Sequence, residues 1–210
     1  MKSNKKILFL ILISIISFSL TGCFDGVKKV TNIPKSEKEK EISLGTWNEN
    51  VYSNSFFDIK YTMPDGWSKL SDDDLAKLMD LSFDAYKDMD DYAKEVAKQI
   101  TIYHFSTNNP NTGDNVQLLS ESTIMDLTEE YYVDTLSEEF SKMEAVKYEV
   151  MEKSEEKIGK YSYKTILLKA VDYDIYQKVY VRKSGKYFIS ILITSNTGIE
   201  TLGEIVKSFE

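Results

Sequence analysis

The chain has 210 residues, 34 of them acidic and 26 basic, with a formal charge of −8, one histidine and one cysteine. This length suits a single domain with an adequate core. The acidic balance excludes a nucleic-acid surface built from clustered Lys and Arg, and one histidine with one cysteine excludes a zinc site made from several of each.

The N-terminus carries an address. Lys2, Lys5 and Lys6 form a positive start, and Ile7 to Leu20 is an apolar run broken only by serines. At about 14 residues, that run is shorter than the ~20 a permanent spanning helix needs, and the layout is that of a secretory signal. Leu20-Thr21-Gly22-Cys23 resembles the lipobox of bacterial lipoproteins, in which the cysteine is acylated and the leader is cut just before it. The expectation is a leader over 1–22, lipid attachment at Cys23, and a protein held on the extracytoplasmic face of the cell membrane. Two acyl chains suffice for stable anchoring. A catalytic thiol, an intermolecular disulfide and a buried filler are the competing readings of Cys23, and none of them explains the upstream pattern. Cleavage would remove three lysines and no acid, leaving 34 acidic against 23 basic side chains. Nearly all the bases are lysine, Arg182 being the sole arginine, and the overall residue usage resembles that of AT-rich Gram-positive bacteria.

Residues 23–44 are rich in lysine and glutamate and read as a flexible tether with an r.m.s. reach of roughly 25 Å. From residue 45 to 210 the pattern is that of one folded domain. "TWNENVYSN" and "FFDIKYTM" alternate as strands do, with Phe57, Ile59 and Tyr61 on one face. Pro64-Asp65-Gly66-Trp67 is a turn. Ser71 followed by three aspartates starts a helix over about 72–87, and a further helical segment is expected over 91–98. "QITIYHFST" and "NVQLLSEST" are strands around a loop at 108–115. Asp126 and Glu129 have capping-box spacing, ahead of a helix whose face is Tyr132, Leu136, Phe140 and Met143. Strands follow at about 147–157, 161–171, 174–183 and 186–194. Thr197 and Glu200 are a second capping box, opening a helix with Ile199, Leu202, Val206 and Phe209 on its inner face. The fold class is therefore α+β: an antiparallel β-sheet with helices packed on its faces.

Two stretches resemble PsbP-like domains: Phe57, Ile59, Tyr61, Pro64, Gly66 and Trp67 at the start, and "VRKSGKYFISILI" with a closing "IVKSF" at the end. The resemblance covers about residues 46–210. It implies an α-β-α sandwich used mostly for interaction, as in an extrinsic photosystem II subunit and a Ran-binding import factor, and it brings no catalytic motif.

Chemistry is sparse. His104 lies within a strand, where a lone histidine is more often structural than a base. There is no nucleophile elbow and no phosphate-binding glycine pattern. The acidic runs Ser71–Leu75 and Asp88–Tyr92 do not fit an EF-hand, since Ala93 stands where its glycine belongs. They read as helix capping and a solvated face, so no metal or cofactor is expected. In the strand expected over about 174–183, Ile175, Val179 and Val181 face a core. Tyr176, Lys178, Tyr180 and Arg182 share the other side, which Tyr163 and Lys169 extend. Tyr and Arg are enriched at binding hot spots, so Tyr176, Tyr180, Arg182 and the turn residue Trp67 are the candidate contacts. The alternative for that side is a partly solvated sheet face, or one beneath a helix. The expected function is non-catalytic interaction with a protein partner at the cell surface. The alternatives are a module for a small-molecule or glycan ligand near Trp67 or the Tyr/Arg face, and an enzyme using carboxylates.

Overall fold

The computed structural model describes residues 42–84, 100–123, 126–143 and 146–210. The leader, Cys23, most of the tether, the run Asp88–Tyr92 and the helix expected over 91–98 lie outside the described residues.

Three short strands, β1 (Thr46–Asn48), β2 (Val51–Asn54) and β3 (Ile59–Thr62), form a small antiparallel sheet in that order. The larger sheet has seven antiparallel strands. It takes β4 (Ser68–Lys69), β5 (Thr101–Asn108) and β6 (Asn115–Ser122), then β10 (Tyr187–Ser195), β9 (Ile175–Ser184), β8 (Tyr161–Ala170) and β7 (Tyr148–Ile158). Helices α1 (Asp72–Asp84), α2 (Glu129–Lys142) and α3 (Ile199–Ile205), with a 3-10 turn at Val206–Ser208, complete the described elements. The class is the antiparallel α+β that the alternation predicts. The "TWNENVYSN" segment, however, is a hairpin of two strands turned at Glu49 and Asn50, and Glu49 takes a left-handed φ of 55°.

The central strands of the large sheet, β5, β6 and β10, are buried on both faces. On the first face, Tyr132, Leu136 and Phe140 of α2 pack onto Leu119, Ile166, Leu168, Val179, Val181 and Phe188, with the Tyr132 and Phe188 rings stacked at 4.2 Å. The predicted α2 face is therefore the observed one. On the second face, the small sheet and α3 bury Phe57, Ile59 and Tyr61 with Leu202, Ile205 and Phe209 against Phe105, Leu118, Tyr180, Ile189, Ile191 and Ile193. Tyr61 stacks on Phe105 at 4.9 Å and donates to or accepts from the Thr107 hydroxyl at 2.8 Å. The layers are thus helix, sheet, and then a small sheet with a short helix.

Both expected capping boxes are replaced by other caps. Thr128, not Asp126, caps α2, its Oγ1 accepting from the Tyr131 amide at 3.1 Å. Asp126 instead accepts from the Lys183 ammonium at 2.5 Å, and Glu129 accepts from the Lys183 amide at 2.6 Å, tying the helix start to β9. At α3 the cap residue is Gly198, and Thr197 is engaged with Asp114 and Thr201. Tertiary partners took these side chains away from local capping. Ile199, expected on the inner face, stands 36% exposed, and Ile205 takes its place in the core. Ser71 caps α1 as its position predicts, accepting from the Asp74 amide at 3.2 Å.

Candidate functional site

Strand pairing positions an open cleft at the β4 edge of the large sheet. β4 pairs with β5 only at Asn108 and Thr107, and the Leu70 amide then donates to the Ser106 carbonyl at 2.9 Å. At Ser71 the chain lifts off to begin α1. From Phe105 back to Thr101, β5 is flanked on its outer side by a cavity of about 500 Å³. One wall is the Leu44–Gly45–Trp47 segment with Tyr52, the other is Leu70, Leu75 and Ala76, and β5 is the floor. The lining is mainly aromatic and aliphatic, with Lys69 and Asp72 at one end. Apolar walls carrying a few polar groups are the usual composition of a ligand site.

The first wall is strapped down. The Tyr52 hydroxyl donates to the Leu44 carbonyl at 2.8 Å, and the Asn54 side-chain amide donates to the Ser43 carbonyl at 2.8 Å. Ile42 packs against the second core. The last residues of the stretch read as tether are therefore fastened to the domain, and Leu44 is both the tether's base and part of the cleft wall. Burial pushes the Tyr52 phenol up to about 12, against the lowering pull of Asn54, so it stays protonated as a donor. Trp47 covers this wall, with its ring 5.3 Å from Phe105 and 5.5 Å from Tyr52. The Lys69 ammonium lies 5.3 Å from the Trp47 ring centre, in cation–π range.

His104 sits at a β-bulge, the register between β5 and β6 shifting between Tyr103 and Phe105. Nδ1 faces the Leu44 carbonyl at 3.4 Å and Nε2 faces the Ser120 hydroxyl at 2.9 Å. A carbonyl only accepts, so Nδ1 carries the proton and Nε2 accepts from Ser120. Burial drives the imidazole down to about 4 and outweighs the raising effect of the Leu44 carbonyl. A Ser–His contact of this kind has the outline of a nucleophile and base. Here Ser120 is 1% exposed and the orienting group is a carbonyl instead of a carboxylate, so the pair locks the strap to the sheet. Among the described residues, no group of three His, Cys, Asp or Glu is arranged to hold a metal ion.

The residues singled out in the sequence lie elsewhere. Tyr180 and Arg182 are 1% and 7% exposed, beneath the small sheet. Arg182 donates from Nη2 to the Phe57 carbonyl at 2.6 Å, and its guanidinium carbon lies 3.9 Å from the Tyr161 ring centre and 5.4 Å from that of Tyr163. Burial raises the Tyr180 phenol, helped by the neighbouring Glu156, which is ion-paired to Lys178. Tyr176 is half-buried with Lys169 5.1 Å from its ring centre. Trp67 is half-buried at its turn and packs against the second core, away from the cleft, so the indole that faces the cavity is Trp47. Tyr and Arg have apolar bodies with polar tips, so an alternation containing them is compatible with a buried as well as a wet face. The cleft itself left little trace in the sequence. Its only local signals are the aromatic run Tyr103–His104–Phe105 and the isolated Gly45 before Trp47.

Glu121 is a further buried ionisable group, on the first face. It is fully buried, and the Tyr132 hydroxyl donates to its Oε2 at 2.7 Å. Burial pushes its carboxyl up to about 8, more than the Tyr132 bond pulls it down, so it is protonated at neutral pH.

No family model matches the chain, and no curated protein matches it. Among solved structures it is similar to that of cyanobacterial PsbP (CyanoP) from Synechocystis sp. PCC 6803, at 11% identity and a TM-score of 0.48, over 80% of this chain and 98% of that one. It is also similar to a crystal structure from Bacteroides thetaiotaomicron VPI-5482, at 13% identity and a TM-score of 0.38, over 72% of this chain and 44% of that one.

Proposed function

We propose that this chain is a lipid-anchored, extracytoplasmic, non-catalytic binding domain that receives its ligand in the Trp47–His104 cleft. The observation that carries the reading is the cleft of about 500 Å³ lying against the foot of the tether, with Leu44 in its wall. The lipobox-like Leu20–Cys23 supports the anchor. The strap supports a preformed site, because Tyr52, Asn54 and His104 hold the wall before any ligand arrives. Preorganisation of this kind lowers the ordering cost of binding.

Trp47 and Trp67 are the two tryptophans, so a Trp67→Phe chain reports on the cleft through Trp47 fluorescence alone. Titration with a panel of small apolar and aromatic fragments is expected to give saturable changes in Trp47 emission, lost in Tyr103→Ala or Leu75→Lys. Absence of any saturable change across the panel would sink the cleft as the binding site.

A further inference from the structure

Two charges of opposite sign stand at one end of the apolar cleft, and neither is matched within the fold. The chain is acidic, and most of its described lysines are in ion pairs, Lys60, Lys153, Lys164 and Lys183 among them. Lys69 is exposed, forms no ion pair among the described residues, and holds its ammonium 5.3 Å from the Trp47 ring centre. Asp72 is also exposed and without an ion pair among the described residues. It is not the cap of α1, because Ser71 accepts from the Asp74 amide at 3.2 Å and Asp74 takes the Lys77 ammonium at 3.1 Å. Lys69 ends β4 and Asp72 begins α1, and between them the Leu70 amide is bonded to the Ser106 carbonyl at 2.9 Å. Three residues of chain span at most about 11 Å, so this pinned connection sets both charges within reach of one small molecule.

We propose, resting on the cleft reading, that the ligand is an apolar α-amino acid bound as its zwitterion. Its carboxylate meets Lys69, its ammonium meets Asp72, and its side chain lies between Trp47, Phe105 and Leu75. A neutral hydrocarbon leaves both charges of the site unmatched. An amphipathic anion is repelled by Asp72, and an amphipathic amine by Lys69. A zwitterion satisfies both and adds no net charge to an acidic domain. A longer peptide carries its terminal charges at opposite ends and cannot bring both to the same end of the cleft. Charge-assisted bonds fix the orientation while the apolar walls supply the buried area. Binding calls on side chains alone and on no main-chain bond from β5.

The aromatic wall selects the side chain. Lys69 is held against the indole, so a carboxylate that reaches its ammonium brings the rest of the ligand to the Trp47 ring. The Trp47 and Phe105 rings meet edge to face at 5.3 Å and an interplanar angle of 72°. A third ring placed beside this corner gains contacts beyond its buried area. At about 500 Å³ the cavity has room for an aromatic side chain, and phenylalanine is the natural probe.

The test titrates the full chain carrying Trp67→Phe with probes that share a phenylalkyl body and differ in charge: phenylalanine, 3-phenylpropanoate, phenethylamine and 3-phenylpropanamide. Trp47 emission reads the binding. Phenylalanine is expected to bind about fivefold or more tightly than each of the other probes. Lys69→Met, an exposed substitution, is expected to bring phenylalanine level with phenethylamine. Asp72→Asn, also exposed, is expected to bring it level with 3-phenylpropanoate. Equal affinity for every probe, tighter binding of a singly charged probe, or a preference for phenylalanine that survives both substitutions would overturn the zwitterion and leave the cleft standing. Absence of a saturable change with all the probes would overturn the amino acid as ligand, and the cleft with it only if the wider fragment panel also fails.

Discussion

The Tyr52 hydroxyl reaches the Leu44 carbonyl at 2.8 Å, and the glycine that follows Leu44 leaves room for its ring. Gly45 has a φ of 75°, and a Cβ at that position would overlap the Tyr52 phenol. Gly45→Ala therefore meets both left-handed backbone strain and a clash. It is expected to lower stability by about 2 kcal/mol or more in chemical denaturation and to alter Trp47 emission. Tyr52→Phe removes only the hydroxyl contacts and is expected to cost about 1 kcal/mol. A Gly45→Ala chain with the stability and emission of the parent would contradict the strap.

Stability should depend on pH through two buried groups acting in opposite directions. His104 is held down to about 4 in the fold against an ordinary 6.5, so the unfolded chain takes up its proton first, and stability falls as pH drops from about 6.5 to about 4. Glu121 is held up to about 8, so the unfolded chain loses its proton first, and stability falls as pH rises from about 4.5 to about 8. Between about 4.5 and 6.5 the two slopes offset one another, leaving a plateau with declines on either side. Glu121→Gln is expected to flatten the alkaline decline, read as Tm against pH between 6.5 and 8. An unchanged alkaline decline in that variant would exclude Glu121 as its source.

Arg182 clamps the turn before β3 to the sheet, through the Phe57 carbonyl and the Tyr161 ring. Lysine keeps the charge but loses the planar stack and the donor fork. Arg182→Lys is expected to destabilise the domain by roughly 2–3 kcal/mol, since it disturbs a buried cation, while leaving fragment binding in the Trp47 cleft unchanged at temperatures well below the melt. Loss of cleft binding at full foldedness would show that Arg182 reaches the site.

Cys23→Ala should abolish labelling of the cellular protein by a fatty-acid probe and release it from the membrane fraction. Retained labelling would exclude Cys23 as the attachment point.

Much of the architecture was legible in sequence because the alternation of apolar residues is a local consequence of strand geometry. β7 to β10, the α2 face and the face shared by Phe57, Ile59 and Tyr61 all follow from spacing. The caps of α2 and α3 were misread because Asp126 and Thr197 have acceptors' and donors' work to do across the fold, with Lys183 and Asp114. The Tyr180–Arg182 side offered the same alternation whether wet or covered, and only the small sheet above it decided the matter.

By itself, then, the sequence determined the α+β class, the strand and helix faces, and an N-terminal pattern that resembles a lipoprotein signal, since each depends on neighbours along the chain. The tertiary structure decided which strands are buried on both faces, which indole meets a cavity and where β4 stops along β5. Those depend on residues such as Leu44, Lys69, Leu75 and Phe105, which are distant in sequence and brought together only when β4 ends and α1 departs. Local periodicity reports a strand's two faces but not what comes to lie on them or beside its edge.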